Sequence, residues 1–144
     1  MEKIEFSCTI ENNSKFDNLG LEFWLDDTKF FDSTIVNVIT PIKYEFDEDE
    51  TNHNLKIVFK NKTTDHTTVD NDGQILSDAL LTVKNIKFDD IEIEQLFFDN
   101  AVYTHDYNGT GNWIDEKFYG DLGCNGTVEF AFSTPFYIWL LEHM

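Results

Sequence analysis

The sequence predicts an all-β fold: an antiparallel β-sandwich, jelly-roll-like or of another Greek-key topology, with a short C-terminal helix. Three observations carry this. Apolar residues recur at every second position in segment after segment, the period of a strand with one buried face. The segments are short and separated by turns rich in Asn, Asp, Gly and Thr, whereas a parallel sheet would need intervening helices. Finally, 144 residues that are 41% hydrophobic and 15% aromatic, with 14 Phe, supply enough apolar surface for the core of one domain.

Ile4, Phe6, Cys8 and Ile10 form the first alternating row. Leu19, Leu21, Phe23 and Leu25 form the second, with Glu22, Trp24 and Asp26 on its other face. Ile42, Tyr44 and Phe46 follow, and Leu55, Ile57 and Phe59 come after an acidic, polar turn over 47–54. In the second half Leu81, Val83, Ile86 and Phe88 lead to an Asp89-Asp90 turn, then to Ile91, Ile93 and the apolar run 96–98. Residues 100–107 and 126–133 add two strands, the last through Val128, Phe130 and Phe132, for seven or eight in all. Thr134 is a good N-cap and Pro135 a good first helical residue for a helix over 136–144. Its F-Y-I-W-L-L content is apolar nearly all round, which suits packing on an open end of the sandwich or use as a docking surface. No repeat, low-complexity tract or linker divides the chain, so residues 1–144 read as one domain.

Acidic residues outnumber basic ones 28 to 10, for a net charge of −18, and all ten basic residues are Lys. Phosphate recognition needs clustered cations and favours Arg, so nucleic acid and anionic membranes are not expected partners. The acidity suits divalent cations, neutral glycans and basic protein patches, or solubility alone. Cys8 and Cys124 lack C-x-x-C spacing and are expected to be free and buried, Cys8 as a small core hydrophobe. The first residues alternate in polarity without the apolar stretch of a signal peptide, and no apolar run approaches the roughly 20 residues that cross a bilayer. If the chain is complete, the ordinary secretory route is not expected, and the N-x-S/T sequons at Asn12, Asn61, Asn108 and Asn125 carry little weight.

The segment Asp65–Asp78, D-H-T-T-V-D-N-D-G-Q-I-L-S-D, crowds four carboxylates and a glycine between two strand patterns. Carboxylates repel unless a cation or water separates them, and hard oxygen donors suit calcium. An EF-hand does not fit: with Gly73 at the sixth position, the first and twelfth would be Thr68 and Ala79, and the flanks are strand-like. What remains is an irregular site in which Asp65, Asp70, Asp72 and Asp78, with Asn71 and main-chain carbonyls, supply oxygens to calcium. The same residue types also build a solvated turn, and the residues alone support both readings equally.

From L-E-F-W-L-D-D, through H-N-L-K-I-V-F-K-N and the acidic loop, to L-L-T-V-K-N-I-K-F-D-D-I-E-I, residues 20–93 resemble the small calcium-dependent carbohydrate-binding modules that bind xylan. The resemblance implies a jelly-roll whose bound calcium coordinates sugar hydroxyls, a role that would fall to Asp65, Asp70 and Asp72, with Asp78 in a loop longer than usual. The C-terminal third, with F-D-N-A-V-Y-T-H-D-Y-N-G-T and S-T-P-F-Y-I-W-L-L-E, is similar to uncharacterised proteins of marine cyanobacterial tailed phages. That likeness implies a virion component, or a protein outside the cell without a classical signal, and offers a second function: a structural or decoration subunit contacting other virion proteins.

Sugar rings stack their C–H faces on aromatic rings, so Trp113, Tyr107, Tyr119 and Trp24 are the candidate glycan contacts, with Tyr103 nearby. Nothing points to an enzyme. The His at 53, 66, 105 and 143 have no zinc spacing, no G-x-S-x-G is present, and Gly109-Thr110-Gly111 runs on to Ile114 where a dinucleotide loop needs glycine. His105-Asp106 reads as an exposed loop pair rather than an acid–base pair. The expected function is non-catalytic, calcium-dependent carbohydrate binding.

Overall fold

A computed structural model describes residues 2–144. Two antiparallel sheets face each other. The first contains β1 (Lys3–Asn12), β4 (Ile39–Asp47), β8 (Leu81–Phe88), β9 (Ile91–Glu92) and β12 (Asp121–Leu122), in the order β12-β8-β1-β4 with β9 also on β8. The second contains β2 (Gly20–Leu25), β3 (Thr28–Thr34), β5 (Asn52–Lys60), β10 (Val102–His105), β11 (Ile114–Lys117) and β13 (Gly126–Ser133), in the order β11-β10-β13-β5-β2-β3. A separate hairpin pairs β6 (Thr67–Val69) with β7 (Ile75–Asp78). The predicted all-β sandwich and its C-terminal helix are present.

The alternating rows become the two inner faces. Along β1 every second residue from Ile4 to Asn12 is buried, and β2, β5 and β13 bury theirs with the same period. The sheets meet through phenylalanines: Phe6 of β1 on Phe23 of β2 at 6.2 Å, Phe46 of β4 on Phe132 of β13 at 6.0 Å, and Phe88 of β8 on Phe132 at 5.1 Å. Tilted and edge-on rings of this kind contribute about 1 kcal/mol per pair beyond the area they bury. Cys8 lies in this core, whereas Cys124 is half-buried in a turn, so only one of the two expected buried thiols is buried; both are free.

Several elements differ from expectation, and β3, β6, β7, β11 and β12 bring the strands to 13 among the described residues where seven or eight were expected. The run 96–98 belongs to a helix, α1 (Glu94–Asn100), not a strand. Ile93, Phe97 and Ala101 are all buried, a spacing of four that turns one face to the core. β3 pairs with β2 along an edge whose mostly exposed side chains show no alternation. The terminal helix, α2 (Phe136–His143), has Pro135 rather than Thr134 at its N-cap. Its leading Phe136 N–H donates to Glu48 Oε1 at 2.7 Å, while the Thr134 hydroxyl turns to Asp49 Oδ1 at 3.2 Å. α2 buries Phe136 and Trp139 against Phe88 and Phe130 at 4.4 and 5.3 Å and leaves its other side in solvent. No helix among the described residues is long and apolar enough to cross a membrane.

Candidate functional site

Antiparallel register brings the acidic segment, the loop over 106–113 and the turn over 123–125 to one end of the sandwich. Lys62, just past β5, is buried; its ammonium donates to the Gly123 carbonyl at 2.7 Å and pairs with Asp78 at 2.5 Å. The Asn125 side chain clasps the Lys62 backbone, accepting its N–H at 2.9 Å and donating to its carbonyl at 2.8 Å. The Asn125 N–H in turn donates to Asn108 Oδ1 at 2.7 Å. His66, also buried, accepts the Thr63 N–H at Nδ1 (2.9 Å), so its Nε2–H donates to Asn18 Oδ1 at 2.8 Å. The links to Lys62 and His66 satisfy buried side chains that would otherwise cost about 1–3 kcal/mol each, and the exposed Asn108–Asn125 link ties the two turns together, so this end is cross-braced.

Of the four aspartates read as calcium ligands, Asp70 and Asp78 are engaged in other bonds, and Asp65 and Asp72 are exposed. Asp70 Oδ1 accepts the N–H groups of Asp72 and Gln74, both at 2.9 Å, closing the β6–β7 turn around Gly73, whose φ is +82°. Asp72 is exposed at that tip and Asp65 in the 3-10 turn Thr64–His66. Asp78 accepts the Thr67 hydroxyl at 2.7 Å and neutralises Lys62. Among the described residues no three His, Cys, Asp or Glu side chains gather where a metal ion could sit. Calcium draws on about six to eight converging oxygens, and no three of these carboxylates converge to begin such a set.

Of the four aromatic candidates, Trp113 and Tyr107 lie on the same loop at this end. Asp106 holds the loop by accepting the N–H of Gly109 at Oδ1 (2.9 Å) and of Gly111 at Oδ2 (3.3 Å), and Thr110 Oγ1 closes on the Asp106 carbonyl at 2.5 Å. Tyr107 rests edge-on against His105 at 4.9 Å and is otherwise open, and Trp113 is freely exposed. Tyr119 follows the edge strand β11, with the Lys117 ammonium 5.3 Å from its ring. Trp24 lies on the outer face of β2, its Nε1–H donating to Glu22 at 2.9 Å and its ring flanked by Lys29 and Lys56 at 5.6 and 5.2 Å. Tyr103 is buried and its hydroxyl is bound to the Cys124 backbone. His105 and Asp106 do not pair, and His105 is buried rather than exposed: it engages Glu116 at 2.9 Å and accepts the Tyr107 N–H.

At the opposite end lies a constellation the sequence reading missed. His53 contacts Asp26 Oδ2 through Nδ1 at 2.6 Å and Asp49 Oδ1 through Nε2 at 2.7 Å. Burial lowers the pKa of the ring, but the bonds and charges of Asp26 and Asp49 outweigh it and the net shift is upward. The Asp49 carboxyl is held down at about 2, first by the Thr51 hydroxyl and then by His53. The available signal was phase: His53 is in step with Leu55, Ile57 and Phe59, so β5 turns its ring inward.

No protein-family model matches this chain, nor does any curated protein. Among solved structures the chain is similar to the selenomethionine form of vCBM60, reported with circular permutation as a link between two families of calcium-dependent carbohydrate-binding modules. The likeness has a TM-score of 0.50 at 13% identity and covers 88% of this chain and 89% of that one. At such identity the two share a fold. The likeness of the C-terminal third to phage proteins has no counterpart among these matches.

Proposed function

We propose that this chain is a non-catalytic carbohydrate-binding module that holds a neutral polysaccharide at the braced loop end of the sandwich. The observation that carries the proposal is the exposure of Trp113 (65%) and Tyr107 (52%) on one internally bonded loop. Exposed rings on an ordered backbone meet the C–H face of a sugar with little further loss of conformational freedom. Asn108 and Asn112, in the same loop, bring amide donors and acceptors for hydroxyls. A net charge of −18 repels polyuronates and leaves neutral glycans as the matching class. The fold shared with vCBM60 supports the reading. Because Asp65, Asp70, Asp72 and Asp78 do not frame a cation, the sugar contact is assigned to the aromatic loop alone, and Trp24 and Tyr119 fall outside it.

Soluble xylan is the probe the family resemblance suggests, in affinity electrophoresis with and without chelator. The expected result is retardation that persists in chelator, survives Trp24→Ala and weakens about ten-fold, or about 1.4 kcal/mol, in Trp113→Ala. Xylan and other neutral polysaccharides all failing to retard the protein, or retardation untouched by Trp113→Ala, contradicts the assignment.

A further inference from the structure

The outward side of α2 is apolar where a surface helix is ordinarily polar. Tyr137 and Leu141 are 69% and 71% exposed and, one turn apart, form a ridge beside the half-buried Leu140. Two hollows meet at Leu140. One, of about 400 Å³, lies between α1 and α2 and is lined by Ile91, Ile93 and Leu96; the other, of about 290 Å³, is lined by Ile91, Phe88 and Phe136 with Tyr137 at its rim. Ridge and hollows form one apolar surface on the flank of the sandwich.

Its walls are predominantly acidic, with His143 at the edge of the first hollow. Glu92, Glu94 and Asp99 line the first hollow and Glu2, Glu48 and Asp89 the second. Only one lysine, Lys3, lines either hollow, and it is paired with Asp47. Asp99 is offset by Lys117 at 3.0 Å; among the described residues the other five carboxylates have no ion-pair partner. The sign selects the occupant. A second copy would set one acidic wall against another between molecules of charge −18, and an anionic bilayer would be repelled in the same way.

We infer that this surface docks a basic, apolar segment of another protein, an amphipathic helix whose Leu-type side chains enter the two hollows while its Lys or Arg side chains meet Glu92, Glu94, Glu2 and Glu48. This inference is independent of the glycan reading, since it uses neither the loop end nor Trp113.

The test uses the full chain and fluorescein-labelled peptides of about fourteen residues: Leu/Lys amphipathic, its Leu/Glu counterpart, and a Ser/Lys peptide of equal charge that measures generic attraction to an acidic protein. Anisotropy is expected to show the Leu/Lys peptide binding at least about ten-fold more tightly than Ser/Lys, with no Leu/Glu binding, and weakening from about 50 to about 500 mM salt. Leu141→Ser and the pair Glu92→Gln with Glu94→Gln each reduce Leu/Lys binding several-fold, whereas Asp65→Asn with Asp72→Asn does not. All of these positions are exposed except the half-buried Glu94, and unchanged circular dichroism confirms that the variants fold. Equal affinity for Leu/Lys and Ser/Lys, or insensitivity to Leu141→Ser, overturns the inference. A dimer in sedimentation that Leu141→Ser dissolves also overturns it, and assigns the surface to a second copy.

Discussion

His53 joins two turns that are distant in sequence, and its behaviour with pH follows from the two carboxylates it faces. Because its folded-state pKa is raised above the ordinary 6.5, the stabilisation it brings is fully present below that value and is lost as pH rises through the folded value. The carboxylate side fails only in acid: the contribution of Asp49 is present above 3.8 and is lost as pH falls through about 2. His53→Gln is therefore expected to lower stability by about 1–2 kcal/mol, discounted for the partly exposed carboxylates, with the largest melting difference from the parent near pH 5.5 and a smaller one near pH 9. A difference that grows with pH would contradict the clamp. Lys62 and Asp78 make a second case. Asp78→Asn leaves a buried ammonium with only the Gly123 carbonyl, and the expected loss is about 1–3 kcal/mol, equal with calcium and with chelator. A loss seen only with calcium would restore Asp78 as a ligand. The sequence could not separate these roles, because Asp, Asn and Gly serve a tight turn and a cation cage alike, and the partner that decides for Asp78 is 16 residues away, just past β5.

Among the elements, those that span the core were legible and those at its margins were not. β1, β2, β5 and β13 each bury one full face, so their alternation survives in the sequence. β3 is an edge strand with mostly exposed side chains, and nothing selects a period there. α1 has seven residues and one buried side chain, so its signal needed Ile93 and Ala101, which lie outside it. Gly126 was read as part of a sequon and as the first residue of a strand, with no reason for a glycine there; it opens β13 where His105 of β10 pairs with it. A Cβ there would collide with the Thr104 carbonyl oxygen and come within 2.8 Å of His105 Cβ. Gly126→Ala is expected to cost about 2–3 kcal/mol and lower the melting temperature by roughly 6–10 °C, read by circular dichroism. A melting point within a degree or two of the parent would mean that the two strands separate more easily than their packing implies.

For the whole molecule, the dominant facts are one aromatic core and a charge of −18. Self-repulsion at that charge is screened by salt, so the melting temperature is expected to rise by several degrees between about 20 and about 500 mM sodium chloride; a fall would mean that the surface ion pairs outweigh it. Composition and alternation were enough to reach the sandwich. The sequence named Trp113 and Tyr107 but not the bracing around them, because the loops over 62–79, 106–113 and 123–125 meet only through long-range pairing, with Lys62, Asn108 and Asn125 as the links. The three tryptophans mark three surroundings: Trp113 on the loop end, Trp24 on the outer sheet face and Trp139 on the buried side of α2. Titration of the protein with a xylan oligosaccharide while the three indole N–H signals are followed by NMR tests the glycan assignment most directly. The account predicts that the Trp113 signal moves and saturates, with or without chelator, while those of Trp24 and Trp139 stay fixed. Saturable movement of Trp24 with Trp113 unmoved would contradict it.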